Sequence, residues 1–149
     1  MTSPPVSAEP SLDCPLCPRL HGFIAEWRGR EPSWFNSPVP TWLPPEGPDK
    51  VHLLIVGLAP GLRGANRTGR PFTGDYAGDL LYATLKKYGL ARGMFEARPD
   101  DSLTLVGTAI TNAVRCVPPG NKPEGAEIAT CRQFLTATIA RFEKLRAIV

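Results

Sequence analysis

The sequence lacks any segment typical of a secreted or membrane-spanning chain. No apolar run approaches the ~20 residues that a helix needs to cross a bilayer. The N-terminal stretch, MTSPPVSAEP, has neither the cationic start nor the apolar core of a secretion signal. We therefore expect a cytoplasmic protein, in which cysteines are seldom joined as disulfides.

Two common nucleotide-binding patterns are also missing. The chain has no GxxxxGK[ST] sequence, which argues against a P-loop. Its glycines do not follow the G-x-G-x-x-G spacing of a dinucleotide-binding fold. Histidine is scarce, with only His21 and His52, and we expect both to be structural.

The composition suits a single globular domain. A chain of 149 residues, 42% of them hydrophobic, can bury about 68–70% of its unfolded surface. The net charge of +3 is mildly basic, and arginine outnumbers lysine twelve to five. Arginine is suited to bidentate contact with phosphate, so the composition permits nucleic-acid binding without establishing it.

The pattern along the chain predicts an α/β domain over residues 13–149. Residues 1–12 are rich in proline, serine and alanine, and we expect a disordered tail. Apolar runs predict buried strands over residues 51–57 and 103–111. The last four residues, RAIV, read as the first half of a third strand, so we expect a C-terminally truncated chain.

Helical spacing predicts a short helix over 19–27, a second over 76–88 and a third that opens at Pro123. The predicted apolar face of the second helix consists of Ala77, Leu80, Leu81, Thr84, Leu85 and Tyr88. That of the third consists of Ile128, Cys131, Leu135, Phe142 and Leu145.

The long loop over residues 57–75 is the most informative stretch. A buried strand that feeds a glycine-rich loop is where an α/β protein places a ligand site. Glycines let the backbone approach the ligand and present its N–H groups. The polar and aromatic residues between the glycines can hydrogen-bond, stack and contact phosphate, so we expect a planar, anionic ligand. The competing interpretation is a purely structural connection.

Four cysteines form a second group of chemically active residues. Cys14 and Cys17 make a C-x-x-C pair, while Cys116 follows a predicted strand and Cys131 lies in a predicted helix. With so few histidines, this set indicates a metal site. Zinc and a [4Fe–4S] cluster both take four thiolates, and spacing alone favours zinc. Cys14 and Cys17 could instead form a dithiol redox pair, or the cysteines could stand as buried free thiols.

Two stretches resemble the iron–sulfur members of the uracil-DNA glycosylase superfamily. Residues 57–75, GLAPGLRGANRTGRPFTGD, are similar to the first signature of family 5, the UDGb type; family 4 has a glutamate where Leu58 stands. Residues 110–123, ITNAVRCVPPGNKP, resemble the segment that carries the uracil-reading asparagine and a cluster cysteine. The order of the cysteines also fits, so the resemblance covers nearly the whole chain from Cys14 onward.

The resemblance implies a three-layer α/β/α fold with a central, mostly parallel sheet. It implies a monomeric DNA repair enzyme that hydrolyses the N-glycosidic bond of uracil, and of related deaminated bases, in DNA. It also implies a [4Fe–4S] cluster, with zinc as the alternative, bound by Cys14, Cys17, Cys116 and Cys131.

The resemblance assigns catalysis to Asp75 and Asn121. Asp75 would stabilise the positive charge on the sugar or orient water, and Asn121 would position water; Leu58 is apolar and cannot act as an acid. Phe72 would stack on the flipped base and Asn112 would read its edge. The main structural alternative is that Asp75, which directly precedes a helix, serves only as its N-cap.

The remaining assignments concern the backbone and the phosphates. The uracil carbonyl oxygens would be held by the backbone of Gly57, Leu58, Ala59 and Gly61. The DNA phosphates would be contacted by Arg63, Arg67, Arg70 and Lys122. The alternative is that these side chains are only solvated charges of a loop and have no function in DNA binding.

The family's late H-P-S motif, which supplies a catalytic histidine and a loop that wedges into DNA, does not occur in this sequence. The resemblance therefore covers the N-terminal two-thirds of a glycosylase. We expect this form to bind DNA but to turn over weakly. An inactive nucleic-acid-binding module with an iron–sulfur cluster or zinc is the alternative function.

Overall fold

The computed structural model describes residues 7–149, which contain both helices and strands. The α-helices are α1 (Pro18–Arg30), α2 (Ala65–Thr68), α3 (Tyr76–Lys87) and α4 (Gly125–Ala140). The strands are β1 (Leu53–Gly57), β2 (Ala91–Arg92), β3 (Thr104–Leu105), β4 (Thr108–Asn112) and β5 (Ala147–Ile148). Within these residues, every helix is too short or too polar to traverse a lipid bilayer.

The central sheet is parallel and has the strand order β4-β1-β5. β1 pairs with β4 along its whole length, so that Gly57 and Asn112 stand opposite each other at the carboxyl ends of the two strands. The residues of RAIV do join the sheet, where β5 pairs with the start of β1. The predicted mostly parallel sheet is confirmed.

Helices cover both faces of this sheet. Ile55 and Ile110, paired across β1 and β4, pack against Tyr82 and Leu85 of α3. The neighbouring pair, Leu54 and Ala109, points to the other face, where the α4 end of the chain packs. Alternation along the strands therefore produces the three-layer α/β/α arrangement.

The second predicted strand is in fact two strands in two different sheets. β3 pairs with β2 in a small antiparallel sheet, whereas β4 belongs to the central sheet. The extended backbone is interrupted between them at Gly107, whose φ of 60° is left-handed. Glycine adopts this conformation without a steric penalty, and an unbroken apolar pattern does not reveal it.

α3 has nearly the predicted bounds but buries a different face. Leu80 and Tyr88 are 75% and 68% exposed, while Gly78, Tyr82 and Leu85 are buried. The cause is Gly78, because a Cβ at this position would collide with the carbonyl oxygen of Phe72. α3 therefore turns Gly78 toward the glycine-rich loop, and Leu80 and Tyr88 of the predicted apolar face stay exposed.

The other two predicted helices are confirmed with different bounds. α1 extends beyond 19–27 at both ends. α4 begins at Gly125 rather than at Pro123, because Glu124 and Glu127 form a capping box there. The buried residues of α4 are Glu127, Cys131, Phe134 and Thr138, and Phe142 is buried beyond the end of the helix.

Part of the predicted disordered tail is packed against the domain. The Glu9 carboxylate accepts a hydrogen bond of 2.5 Å from Arg115 Nη1 and another of 3.2 Å from the Thr41 backbone N–H. Thr138 Oγ1 donates to the Ala8 carbonyl oxygen at 3.0 Å. Arg115 is fully buried, and a buried charge requires a partner. Residues 1–6 of the predicted tail lie outside the described part of the chain.

We expect Glu9→Ala to lower the free energy of unfolding by roughly 1–3 kcal/mol, because it leaves the buried Arg115 guanidinium without its carboxylate. Chemical denaturation measures this change. The control is Glu143→Ala, which removes an exposed carboxylate and should change stability by less than about 0.5 kcal/mol. Equal stability of the two variants would contradict the docking of the N-terminal segment.

Candidate active site

A cavity of about 550 Å³ opens at the carboxyl ends of β1 and β4. This edge of a parallel sheet is where α/β proteins bind their ligands. Seven of the twelve residues predicted for catalysis and for base and phosphate binding line it: Ala59, Gly61, Arg63, Phe72, Asp75, Asn112 and Asn121. It is also lined by residues that were not predicted as site residues: Pro60, Leu62, Gly64, Ala65 and Ala77. Of these, Gly64 belongs to the glycine pattern that marks the loop.

Gly57 brings an amide and an aromatic ring together. A Cβ on this glycine would collide with Asn112 Oδ1 and would lie 2.6 Å from the tip of the Phe72 ring. Both groups can therefore reach the same point only because residue 57 has no side chain. Asn112 and Phe72 form the inner wall of the cavity.

Asn112 is 3% exposed and presents an amide that is not used within the protein. Among the described residues, its side-chain nitrogen and oxygen meet no hydrogen-bond partner, whereas its backbone carbonyl accepts from Arg115 Nε at 3.0 Å. Neither amide atom is completely shielded, so solvent reaches the amide from the cavity. A ligand with one donor and one acceptor on its edge would satisfy it.

Phe72 has a φ of 52°, a left-handed backbone conformation that is unusual for a bulky residue. Such a conformation costs about 1–3 kcal/mol and persists only where its surroundings hold it. Residues of this kind concentrate at ligand sites. The strain is consistent with a functional position for the ring.

Asp75 occupies the N-cap position of α3 but makes no side-chain capping hydrogen bond. Its carboxylate turns back over the loop instead. A Cβ on Gly61 would lie 2.7 Å from Asp75 Oδ2, and one on Gly64 would collide with the same oxygen. The two glycines thus make room for the carboxylate beside the cavity, and the purely capping role of Asp75 finds no support in this geometry.

Asn121 also lines the cavity. It ends a 3-10 turn over Pro119–Asn121 and has a φ of 59°. The residue is exposed at the cavity wall. Two polar side chains, Asp75 and Asn121, therefore lie at the open side of the cavity, where water has access.

Two carbonyl groups at the start of the predicted backbone cradle are used within the protein. The carbonyl of Gly57 accepts from the Ala113 N–H at 2.8 Å, and that of Leu58 accepts from the Val114 N–H at 2.9 Å. These bonds tie the start of the loop to the segment after β4. Leu58 is 55% exposed and does not line the cavity, whereas Ala59 and Gly61 do.

The predicted phosphate-binding cations differ in their surroundings. Arg63 and Lys122 are exposed. Arg67 is half-buried and donates to the carbonyls of Arg63 and Gly74 at 2.7 and 3.0 Å. Arg70 is buried and binds both carboxylate oxygens of Asp101 at 2.8 and 3.0 Å. Its charge is already neutralised there, so we do not retain it as a phosphate contact.

The four cysteines line one small cavity between α1, α4 and the segment after β4. Burial, and then the neighbouring Cys131, raise the pKa of the Cys116 thiol to about 12. Burial likewise raises the pKa of Cys17 and Cys131. A reactive redox pair needs a lowered thiol pKa, and burial shifts the pKa of Cys17 in the opposite direction.

A positive centre would reverse these shifts, so the donor set fits a metal or a cluster. Over residues 7–149, however, no group of three or more histidine, cysteine, aspartate and glutamate side chains is arranged to hold a single metal ion.

Comparisons with known proteins identify the family. Residues 44–149 match the model of the uracil DNA glycosylase superfamily. The type-5 uracil-DNA glycosylase of Thermus thermophilus is 42% identical in an alignment 142 positions long that covers 91% of this chain and 62% of that protein. That of Mycobacterium leprae is 42% identical in an alignment 158 positions long that covers 98% of this chain and 65% of the relative.

A type-4 uracil-DNA glycosylase of Pyrobaculum aerophilum is 36% identical over 107 residues, or 71% of this chain and 47% of that protein. The chain thus spans less than two thirds of the length of these relatives. The match of residues 44–149, together with these identities, establishes that the chain belongs to the uracil DNA glycosylase superfamily.

Proposed function

We propose that this chain carries the base-binding and hydrolytic site of a uracil-DNA glycosylase of the type-5 kind. It cleaves the N-glycosidic bond of uracil in DNA and accepts related deaminated bases. The observation that carries the proposal is the convergence of an unpartnered amide, an aromatic ring and a carboxylate on one cavity, from Asn112, Phe72 and Asp75. The type-5 and type-4 names of the relatives support the same reaction.

The base enters this cavity after it has left the DNA stack. Enzymes that act on a base in DNA flip the nucleotide into a pocket and read it by stacking and hydrogen bonds. Phe72 would stack on the ring of the base. The amide of Asn112 would donate to a uracil carbonyl oxygen and accept from a uracil N–H, a pairing that cytosine does not offer.

Hydrolysis breaks the bond between the base nitrogen and the sugar C1′. The electron pair leaves with the base and positive charge develops on the sugar. A water oxygen then bonds to C1′, and the proton that this water loses neutralises the base anion. Asp75 would stabilise the positive charge or orient the water, and Asn121 would help to position that water. The N–H groups of the loop near Ala59 and Gly61 would stabilise the negative charge on the departing base.

The DNA backbone would be contacted by Arg63, Arg67 and Lys122. Arg63 and Lys122 are the more accessible of the three, because Arg67 already donates to two carbonyls within the loop. Contacts of this kind position the strand without reading its sequence, and they weaken as salt increases.

We also propose that Cys14, Cys17, Cys116 and Cys131 bind a [4Fe–4S] cluster rather than zinc. Zinc, at about 2.3 Å from each sulfur, draws its four sulfurs to within about 3.8 Å of one another. In a cluster each thiolate binds a different iron, so the sulfurs stand farther apart. The four thiols line one small cavity, which supports a single centre held by all of them, and the resemblance of the cysteine order to the iron–sulfur members favours the cluster. When bound, the cluster would keep the sulfurs ionised and cross-link the surrounding segments.

The cluster predicts brown protein with about four irons per chain after anaerobic purification. Cys17→Ser should lower the iron content, the visible absorbance and the solubility. Thr130→Ala, which changes a residue of the same cavity without removing a thiol, should keep the iron. One zinc per chain and no iron would overturn the cluster and leave the fold unaffected.

Asn112→Asp should weaken the preference for uracil over cytosine, because an amide donor becomes an acceptor that faces an acceptor on uracil. One bidentate contact is worth ~1–3 kcal/mol, so the loss should be about ten- to a hundredfold. Excision from matched oligonucleotides, or binding of uncleavable analogues, measures the preference. An unchanged preference would assign base reading to a different residue.

Asp75→Asn should slow uracil excision by roughly a hundredfold or more while thermal stability changes little, because the carboxylate makes no capping bond. Asp79→Asn is the matched control, since it neutralises an exposed acid in the first turn of the same helix and should leave excision unchanged. Loss of stability with normal excision would reduce Asp75 to a structural residue.

The same assay separates the enzyme from a non-catalytic nucleic-acid-binding module. The module would bind uracil-containing DNA in a salt-dependent way yet release no uracil, and Asp75→Asn would not change its behaviour.

A further inference from the structure

The peptide groups on both sides of Phe72 are held by hydrogen bonds from side chains. The Pro71 carbonyl oxygen accepts hydrogen bonds from Tyr82 Oη and, at 3.1 Å, from Thr73 Oγ1. The Thr73 carbonyl oxygen accepts from Thr68 Oγ1 at 2.8 Å. These bonds hold the peptide groups around Phe72, so its left-handed backbone cannot relax independently.

Arg70 holds this arrangement in place through the Thr73 side chain. Its Nε donates to Thr73 Oγ1 at 2.8 Å, and its two terminal nitrogens bind the two oxygens of Asp101. The guanidinium also lies 4.4 Å from the centre of the Trp42 ring. With its bidentate partner and this stacking, the Arg70 side chain has one well-defined position.

Asp101 is itself fixed by the backbone. Its carboxylate accepts from the N–H groups of Glu96 and Leu103 at 2.9 and 3.1 Å. The side chains of Arg70 and Asp101 are only 6% and 0% exposed. A buried ion pair gives little net stability over an apolar pair of similar volume, so stability alone does not account for its presence beside the cavity.

We propose that Arg70 is a positioning residue for the base-binding site. Acting through the Thr73 hydroxyl, it fixes the backbone of Phe72 and so holds the Phe72 ring next to Asn112 over Gly57. It thereby determines how tightly the cavity holds a planar base, without touching that base. This inference rests on the proposed function, because it assigns the ring the role of stacking platform.

The physical consequence is confined to the base. If the Thr73 hydroxyl is lost, the peptide groups around Phe72 gain freedom and the ring loses its fixed place against Gly57. Stacking then costs more conformational entropy, and affinity for the flipped base falls. Phosphate contacts from Arg63 and Lys122 lie outside this network and keep their strength. The base-dependent share of binding is therefore the quantity to measure.

The chain offers a matched pair of variants at Thr73, which is fully buried. Thr73→Val keeps the shape but removes the hydroxyl, whereas Thr73→Ser keeps the hydroxyl and removes a methyl group. Binding is measured to two oligonucleotides that differ at one position, with an uncleavable uracil nucleotide in one and cytosine in the other. The dissociation constant for the cytosine oligonucleotide, divided by that for the uracil oligonucleotide, is the ratio that reports the contribution of the base.

Thr73→Val should lower this ratio by about tenfold, the scale of one base–aromatic stack, while Thr73→Ser stays within about twofold of the original protein. A purely structural role would lower the thermal unfolding temperature of both variants and leave the ratio unchanged. That result, or an equal loss of the ratio in both variants, would overturn the proposal. Should Thr73→Val not fold, Asp101→Asn, which weakens the hold on Arg70, carries the same expectation.

Phe72→Leu separates this inference from the proposed function. If Arg70 acts through Phe72, then adding Thr73→Val to Phe72→Leu causes no further loss of the ratio. A reduced ratio in Phe72→Leu with an unaffected Thr73→Val would remove Arg70 from the site but leave the proposed function intact. A ratio of one in the original protein would instead defeat the proposed function itself.

Discussion

The close approach of two strand ends over Gly57 is the constraint on which the site depends. β1 and β4 end opposite each other, and the residue at the end of β1 has no side chain. The Asn112 oxygen and the Phe72 ring occupy the space that a Cβ would fill. Gly61 and Gly64, which also lack side chains, leave space for the Asp75 carboxylate. Side chains from distant parts of the sequence therefore meet because the glycine loop offers them no steric obstacle.

Two buried arginines hold the walls of the cavity in place. Arg115 donates to the backbone carbonyl of Asn112 and is neutralised by Glu9, which comes from the N-terminal segment. Arg70, paired with Asp101, supports the Thr73 hydroxyl next to Phe72. Each guanidinium spreads several hydrogen bonds over a fixed planar fork, which a lysine could not do. The polar interior of this small domain thus serves geometry more than stability.

The cysteine cavity is connected to the active site through the segment that follows β4. Asn112 lines the active-site cavity, and Cys116 and its neighbours line the other. The start of the same segment is tied to the glycine loop by the bonds of Ala113 and Val114 to Gly57 and Leu58. A group bound by the cysteines would therefore restrain the segment from which Asn112 projects.

The sequence by itself determined the order of strand, glycine loop and helix, the position of the chemical groups in residues 57–75, and the set of four cysteines. These are local features, since periodicity, glycine content and residue type are read directly along the chain. Only the tertiary structure decided that Arg70 is buried with Asp101, that Glu9 docks on Arg115, and that α3 turns Gly78 rather than Leu80 inward. A partner far away in the sequence or a backbone contact decides each of these outcomes. Such contacts leave no pattern in the local sequence.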